Sequence, residues 1–455
     1  MGWVLRLVEN EAEGPPRSVD LLAIERPGDL RDLAALGLTQ EEGKRRLARL
    51  QQALVAAQCR DHAAQRPACR VCGAVCHVKD YRPHRIATLF GQVTARLPRF
   101  RCVGCGVRDS GVEWPRHGRS TPELDQLRAH LSALMPYRVA AGVLNHLLPL
   151  DAGTAPETLR AHTLTLGAHL VEATAAEPTA PATAITLSVD STFIRSCDEG
   201  SRHLEVRLGN AETPDGARQV FAAVTKTDTA IAKLIRRSLA AVGQSDGTEL
   251  SAFTDGCPGL RALLVEAGVS TPPFLDWFHI AMRLQHAEAT AGILPTKTPE
   301  QERAKAEIVT EVDRLHWRIW NGKAKDAQIT LERIHAVLPA FQGETSCGSK
   351  IPPVRRLWTA LRTIDRYLTS QSAWLTNYAE RHRAGQRVGT ALTEGTANLL
   401  VNRRMNKSQQ MRWSRCGADL LLQVRCAILN GKLGCTFGQL FTAETNPPSD
   451  VALAA

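Results

Sequence analysis

The stretch that decides the fold is Ile185-Thr186-Leu187-Ser188-Val189-Asp190. Its three apolar side chains alternate with small polar ones, which is the pattern of a β-strand that buries one face. A carboxylate, Asp190, follows the last apolar position directly. We therefore predict a strand that ends at Asp190 and places this carboxylate at the edge of a sheet.

The segments after this strand predict the rest of the sheet. Apolar alternation predicts strands at 203–208, 220–224, 250–254 and 274–278, and amphipathic spacing predicts helices at 230–242 and 260–267. Three strands, a helix, a strand, a helix and a strand is the order of an RNase H-like α/β core. The first and fourth strands of such a sheet are neighbours, so Asp190 and Asp255, which ends the fourth strand, are expected side by side.

A third acid, Glu394, is expected to join this pair from a helical region that runs from Thr393 to Leu429. Clustered carboxylates suit Mg²⁺ or Mn²⁺, and two such ions about 4 Å apart can promote phosphodiester displacement. Each acid also has a structural explanation, because Asp often caps a turn and Glu near a helix start complements the helix dipole. The acids that compete for these roles are Asp198, Glu199, Glu205, Asp228 and Asp246.

Two Cys-x2-Cys pairs give the strongest local signal. Cys69 and Cys72 are followed, after 29 residues, by Cys102 and Cys105. Four thiolates at this spacing suit one structural Zn²⁺ in a closed tetrahedral site, and the apolar positions between the pairs predict a zinc-ribbon hairpin. The alternative ligands nearby are Cys76 and His77.

The composition is that of a globular protein with a basic excess. The chain has 455 residues, 44% of them hydrophobic, and 56 Lys and Arg against 46 Asp and Glu. Eight basic residues and one acid lie between Arg66 and Arg101, and such an excess favours polyanionic partners. The chain has no apolar run long enough to span a membrane and no secretion signal at its N-terminus, so we expect a cytoplasmic protein with reduced cysteines.

These patterns predict a multidomain α+β protein in which an all-α insertion interrupts the RNase H-like core. Three short helices between Thr121 and Leu170 resemble a helix-turn-helix unit, although a plain helical spacer would show the same pattern. The predicted segments are 1–60, an irregular leader (1–38) and a helix; 61–118, the zinc ribbon; 119–172, the helix-turn-helix-like helices; 173–184, a linker; 185–297, the first part of the core; 298–384, the insertion; 385–435, the last part of the core; and 436–455, a tail.

A run of cations without an acid follows Glu394. A solvated helix face normally mixes charges of both signs, so this run favours contact with DNA phosphates over a plain exposed face. The predicted DNA-binding residues are Arg403, Arg404, Lys407, Arg412 and Arg415.

Several motifs together resemble the DDE transposases of bacterial insertion sequences, specifically the ISL-type and ISKra-type group with an N-terminal zinc ribbon. The resemblance covers about residues 39–435. Besides the cysteine pairs it rests on Val189-Asp190-Ser191-Thr192, Thr254-Asp255-Gly256, Asp276-Trp277-Phe278-His279-Ile280, Thr393-Glu394-Gly395-Thr396-Ala397-Asn398 and Arg403-Arg404-Met405-Asn406-Lys407-Ser408-Gln409-Gln410-Met411-Arg412-Trp413.

The resemblance implies an enzyme that cleaves and joins DNA strands at the ends of its element. It implies catalytic carboxylates at Asp190, Asp255 and Glu394 and a role near the scissile phosphate for His279, whereas the residues alone favour a core position for this histidine. One departure is Gly395, where relatives more often have Ser after the Glu. The implied partners are double-stranded DNA, both terminal inverted repeats and target, and further copies of the chain on DNA at the bacterial nucleoid.

Two other functions fit the same residues. A zinc-ribbon DNA-binding regulator with an inactive core would bind DNA without needing a divalent metal. A structure-selective nuclease on the same fold would cut DNA strands without joining them. The three acids within one predicted core favour the transposase.

Overall fold

The computed structural model describes residues 2–9, 17–26, 28, 36–109, 112, 119–150, 153–172, 180–224, 227–341, 351–389, 395–405 and 411–433. The protein is of the mixed α+β class, as predicted. It divides into two compact units, one within Met1–Ala173 and Gln423–Ala455 and the other within Thr174–Leu422. No helix of the described ranges is both long and apolar enough to cross a membrane.

The first unit begins with an antiparallel hairpin of β1 (Gly2–Glu9) and β2 (Arg17–Glu25). The prediction of an irregular leader over 1–38 was therefore wrong for these two segments. The adjacent residues Trp3 and Val4 are 51% and 57% exposed. Without alternation between buried and exposed positions, an apolar strand carries no period-2 signal in its sequence.

A helix and a three-stranded sheet follow the hairpin. The sequence predicts a capping box of Thr39 and Glu42 and a helix that ends near Cys59. Helix α1 (Gln40–Ala64) begins with this capping box and ends five residues beyond Cys59. Strands β3 (Cys76–Thr88), β4 (Gly91–Cys102) and β5 (Arg108–Asp109) pair antiparallel in that order.

Three helices complete the described part of this unit before the linker: α2 (Pro122–Leu134), α3 (Tyr137–Leu147) and α4 (Pro156–Glu172). Their existence confirms the prediction for this segment. The sequence Thr121-Pro122 predicts a Thr cap for α2, but the Thr121 hydroxyl makes no capping hydrogen bond to this helix. Instead the Ser120 hydroxyl donates to the Asp125 carboxylate in the first turn at 2.7 Å.

The second unit contains a five-stranded sheet in the order β10-β9-β6-β7-β8. The strands are β6 (Ala184–Arg195), β7 (His203–Glu212), β8 (Arg218–Ala223), β9 (Glu249–Thr254) and β10 (Phe274–Leu275). β7 runs antiparallel to β6 and β8, whereas β9 runs parallel to β6 and β10. The predicted order of strands and helices and the adjacency of the first and fourth strands are confirmed.

The two faces of this sheet differ. Helices α5 (Asp228–Ala241) and α6 (Pro258–Glu266) belong to the core that buries Ile185, Leu187 and Val189. Since successive side chains of a strand point to opposite faces, Asp190 lies on the face away from these helices. The structure also corrects the end of the strand, because β6 continues past Asp190 to Arg195.

Five helices follow the sheet and share a separate core. They are α7 (Trp277–Gly292), α8 (Pro299–Trp320), α9 (Ala324–Val337), α10 (Pro353–Gln371) and α11 (Tyr378–Arg383), with 3₁₀ turns at Leu338–Phe341 and Ser372–Trp374. The predicted strand over 274–278 is only two residues long, because Asp276 caps α7. The helical pattern within the insertion also predicts a helix over 371–382, and this prediction was wrong, since a 3₁₀ turn and an extended segment precede α11.

The predicted long helix from Thr393 to Leu429 was also wrong. Residues 395–397 are helical, a π-helical turn spans Asn398–Asn402, and a short turn spans Arg403–Met405. The chain is then extended at Trp413, which bridges to Ser196 before α12 (Arg415–Leu429) begins. The Trp413 N–H donates to the Arg195 carbonyl at 2.9 Å, so pairing with a distant strand overrides the local helical pattern.

Candidate functional site

The four predicted zinc ligands meet in the first unit. The sulfurs of Cys69, Cys72, Cys102 and Cys105 all lie within 4.8 Å of one another, and no other group of three or more metal-binding side chains in the described ranges is as close. The Sγ–Sγ distance is 3.5 Å for Cys69 and Cys105 and 3.4 Å for Cys72 and Cys102. A tetrahedral Zn²⁺ with Zn–S bonds of about 2.3 Å needs sulfurs about 3.8 Å apart, so the four thiolates fit one zinc ion.

Backbone N–H groups prepare two of these sulfurs, those of Cys69 and Cys102, to carry negative charge. The Cys105 N–H donates to Cys102 Sγ at 3.5 Å, and this bond is the main cause that lowers the pKa of Cys102 to about 6. Hydrogen bonds from the Cys72 and Val71 N–H groups lower the pKa of Cys69. Gly73 and Gly106 follow the two pairs at φ 73°, a left-handed conformation that favours glycine in these tight turns.

The two alternative ligands lie outside the cluster. Cys76 is buried beside it at the start of β3, and desolvation by burial raises the pKa of its thiol. His77 is exposed on the same strand. The arrangement is a closed four-sulfur site without a position for a substrate, which suits a structural metal.

In the second unit, Asp190 and Asp255 lie at the same level of two adjacent parallel strands. Ser188 of β6 pairs with Phe253 of β9; Asp190 lies two positions further along β6, and Asp255 is the first residue after β9 ends at Thr254. The register therefore brings both acids to the same end of the β6–β9 pair. Sequence reasoning therefore identified two neighbouring acids, although it placed the end of β6 at the wrong residue.

His279 contacts the first of these acids. Its Nε2 lies 4.0 Å from Asp190 Oδ2, and the two side chains are 19% and 15% exposed. His279 sits in the first turn of α7, which Asp276 caps by accepting the Phe278 N–H at 2.9 Å. The histidine is therefore partly accessible at the acidic face and is not enclosed in a core, the alternative that the sequence left open.

The loop after β9 is held by its own backbone and by two other helices. Asp255 Oδ1 accepts the Cys257 N–H at 2.8 Å. The Tyr367 hydroxyl of α10 donates to the Asp255 carbonyl at 3.2 Å, and Arg261 of α6 donates to the Gly256 carbonyl at 2.7 Å. Burial raises the pKa of Tyr367, which keeps its donating proton. Sequence reasoning missed both residues, since no motif marks a tyrosine over one hundred positions away.

A cleft of about 380 Å³ opens beside His279 between α7 and α10. Its walls include Arg283 and His286, each on the same side of α7 as His279, and Thr363 of α10. The Arg283 guanidinium lies 4.4 Å from the centre of the Tyr367 ring and donates to the His279 carbonyl at 2.8 Å. The missed signal for Arg283 is its spacing of four residues from His279, which would have indicated a shared helix face.

The competing acids have other partners or positions. Asp198 accepts the Arg415 N–H at 3.0 Å at the start of α12, and Glu205 and Asp228 pair with Arg207. The remaining two, Glu199 and Asp246, are exposed at turns. Asp198, Glu205 and Asp228 thus pair elsewhere, whereas His279 contacts Asp190.

Glu394 lies outside the described residues, but the segments on both sides of it contact the sheet. Arg387 donates to the Glu212 carboxylate at 2.9 Å, and Arg218 donates to the buried Thr396 hydroxyl. Glu212 lies four positions after Leu208, the partner of Asp190, and pairs with Arg218. Strand alternation therefore places both contacts on the face that carries Asp190.

The predicted DNA-binding cations have different environments. Arg403 and Arg412 are exposed, Arg415 is partly buried, and Lys407 lies outside the described residues. Arg404 is only 1% exposed; its guanidinium lies 5.2 Å from the Trp413 ring centre and contacts Met411 Sδ at 3.3 Å. Its assignment to DNA phosphates was therefore wrong for the folded chain, because the side chain packs inside.

Among models of known protein families none matches the chain, and no curated protein matches it at a significant level.

Proposed function

We propose that the chain is a DDE-type DNA transposase that cleaves a DNA strand at its element's ends and joins the freed end to target DNA. The observation that carries this proposal is the placement of Asp190 and Asp255 at the same end of the adjacent parallel strands β6 and β9, with His279 4.0 Å from Asp190. Two carboxylates so placed suit hard divalent cations, which take oxygen ligands. The sheet order and the helices after β10 are consistent with an RNase H-like core and an all-α insertion.

Asp190 and Asp255 are the residues that would hold Mg²⁺ or Mn²⁺ at this edge of the sheet. Bound there, the ions supply charge neutralisation for both the attacking and the leaving oxygen of phosphodiester displacement. Glu394 is proposed as the third carboxylate, because Arg387 and Thr396 fix the segments before and after it on the face that carries Asp190. Tyr367 and Arg261 position Asp255 through the backbone of its loop.

His279 is proposed to act at the phosphate next to Asp190. Its Nε2 lies 4.0 Å from Asp190 Oδ2, so it could hold a proton beside this carboxylate or donate a hydrogen bond to a phosphate oxygen bound there. Arg283 and His286 lie on the same side of α7 as His279 and line the cleft, and a DNA strand is proposed to pass along them. Double-stranded DNA is thus the proposed substrate, and the chain is proposed to act as a homo-oligomer on DNA in the bacterial cytoplasm.

The test incubates the purified chain with DNA duplexes that carry its own flanking ends, with and without Mg²⁺, and maps strand breaks and joined products. A transposase gives Mg²⁺-dependent 3′-strand cleavage at the ends followed by joining to a second duplex. Binding that needs no divalent metal and yields no breaks would instead indicate the regulator. Cleavage without joined products would indicate the nuclease.

A further inference from the structure

We propose that one face of the β3–β4 ribbon in the first unit docks in a groove of duplex DNA and contacts base edges. This face, called the front face below, is formed by Tyr81, Arg85, Gln92, Thr94 and Arg96. The proposal rests on the proposed function only for the choice of DNA as partner, since the ribbon lies in the other unit from the acidic site.

The register of the two strands defines the front face. Arg85 pairs with Thr94, and the neighbouring pairs on the same side join Pro83 to Arg96 and Tyr81 to Pro98. Directly opposite side chains of an antiparallel pair lie on the same face. Along β4, Gln92, Thr94 and Arg96 are exposed, whereas the residues between them are buried.

The opposite face and one edge of the ribbon are already occupied. Ala95 and Leu97 are buried with Cys59 of α1. In α1, Gln52 Oε1 accepts a hydrogen bond from the Thr94 N–H at 3.0 Å, and Gln52 Nε2 donates one to the Thr94 carbonyl at 3.4 Å. The front face is therefore the side of the ribbon, around Arg85 and Thr94, that these contacts leave open to a partner.

The front face is cationic and has no acid to neutralise it. The only acid in β3 and β4 is Asp80, and it is paired with Arg99, whose Nε donates to it at 2.6 Å. Arg85 and Arg96 make no ion pair among the described residues. The Arg96 guanidinium lies 5.4 Å from the centre of the Tyr81 ring, and such a cation–π contact orients a guanidinium that would otherwise be disordered by its own rotamers.

Both ends of the ribbon are fixed, so the front face is presented rigidly. At one end Cys76 pairs with Cys102, next to the four-sulfur cluster. At the other end the Ala87 N–H donates to the Arg119 carbonyl at 2.9 Å, and the Thr121 N–H donates to the Ala87 carbonyl at 2.8 Å. A rigid element needs less ordering on binding and so loses less affinity to entropy.

The chemistry of the front face fits the major groove of DNA. The groove admits a two-stranded ribbon, and its base edges are recognised by Arg at guanine and Gln at adenine, while Thr contacts either bases or the thymine methyl group. The front face presents these three residue types on two strands. Lys79 and Arg82, exposed on β3 outside the front face, add positive charge for the phosphates alongside.

The test is a binding selection with the zinc-loaded full-length chain, without Mg²⁺, from a pool of duplexes with a randomised central segment. The wild-type chain is expected to enrich a motif. Arg85→Ala with Arg96→Ala is expected to lower affinity for that motif by about tenfold or more per arginine and to erase the preference at defined positions. Gln92→Ala is expected to weaken the base preference at a different position of the motif. It should lower the affinity for unselected duplexes less than the affinity for the motif.

The matched control removes two exposed cations elsewhere. Lys233→Ala with Arg236→Ala takes the same charge from α5, which packs on the sheet face away from Asp190. It should leave the motif unchanged and the affinity within about twofold.

The proposal would be overturned if the Arg85/Arg96 variant selected an unchanged motif, or if the chain bound RNA more tightly than DNA. It would also be overturned if the variant lost affinity equally for all duplexes while the dependence of log affinity on log salt concentration fell by about 0.9 per arginine. An absence of any duplex binding would overturn it as well. The proposed strand cleavage is measured separately with Mg²⁺ and Asp190→Asn, so either proposal can fail without the other.

Discussion

The cysteine cluster takes its four ligands from one short stretch between Cys69 and Cys105, whereas the acidic site combines segments that lie far apart in the chain. The cluster is closed, with sulfur on every side. The acidic site is open: Asp190 and His279 keep part of their surface exposed, and a cleft lies next to the histidine. A site that stabilises a fold and a site that receives a substrate differ in this way.

The difference also concerns what holds each site together. The ribbon has a small core of its own, so we expect its folding free energy to depend strongly on a metal ion held by the four sulfurs. The acidic site depends instead on tertiary contacts, because Tyr367 of α10 and the segment around Thr396 support it from distant parts of the chain. Substitutions in the cysteine cluster should unfold the ribbon completely but only locally. Substitutions around the acidic site should reduce activity less the further they lie from the acids.

The largest effect is expected for the cysteine cluster. Cys69→Ser or Cys105→Ser should release zinc and unfold the ribbon, since structural zinc contributes on the order of 10 kcal/mol of apparent binding free energy. Metal content by mass spectrometry and proteolysis of the ribbon measure this. Cys197→Ser, at an exposed cysteine outside the cluster, should change neither. Protein made with zinc available that contains no zinc would contradict the assignment. Cys347, another candidate control, lies outside the described residues.

The next largest effect is expected at the carboxylates. Asp190→Asn and Asp255→Asn each keep the side-chain size but remove a negative charge that would face the cations, so strand cleavage should fall about a thousandfold or more. Glu394→Gln should match them, because members of one site act as a unit and their losses do not add. DNA binding, measured by fluorescence anisotropy, should persist in all three variants.

The controls for the carboxylates are the two acids that pair with Arg207. Glu205→Gln and Asp228→Asn should leave cleavage near the wild-type rate, because these side chains face a different partner. If Glu394→Gln cleaves normally while one of the controls is inactive, the third carboxylate has been assigned to the wrong residue.

The comparison also explains how much the sequence could predict. The ribbon and the capping box at Thr39 were predicted because their spacing is local, and the strand order from Ile185 to Leu275 followed from apolar patterns. The hairpin of β1 and β2 was missed because apolar residues are exposed on both of its faces, which removes the alternation.

The helix predicted near the C-terminus was wrong because the backbone there pairs with a distant part of the chain. The residues around Trp413 have a helical pattern, but the backbone there pairs with Ser196, more than two hundred residues earlier. In the same way Arg404 looks like a DNA-binding cation in sequence and is a buried side chain in the structure. Which residue of a basic run faces solvent is decided by tertiary contacts and not by local composition.

A matched pair of variants sharpens this point. Arg404→Ala removes a buried side chain that packs on Trp413 and should lower the free energy of unfolding by about 2–3 kcal/mol. Arg403→Ala removes an exposed neighbour and should change stability by less than about 0.5 kcal/mol, while it lowers the salt slope of DNA binding by about 0.9. Urea unfolding and salt titrations of DNA binding measure the two effects. A large stability loss for Arg403→Ala together with none for Arg404→Ala would contradict the described packing.

The smallest effect is expected where the helical region supports the acidic site. Tyr367→Phe removes the hydroxyl that donates to the Asp255 carbonyl at 3.2 Å and leaves the ring in place. Loss of a hydrogen bond that positions a metal ligand typically lowers activity or metal affinity by about 10- to 100-fold. Because the Tyr367 bond is single and long, we expect the lower end of this range. The Mg²⁺ concentration needed for half-maximal cleavage should therefore rise about tenfold.

The control is Tyr378→Phe, which removes a similar buried hydroxyl. Tyr378 donates to the Leu275 carbonyl of β10 at 3.0 Å, one strand further from Asp190. Both variants should lose about 1 kcal/mol of stability, because each leaves a carbonyl without its donor. Only Tyr367→Phe should change the Mg²⁺ dependence of cleavage, since only its bond reaches the loop of a proposed ligand. Equal shifts in both variants would mean that the helical region supports the sheet generally and does not position Asp255.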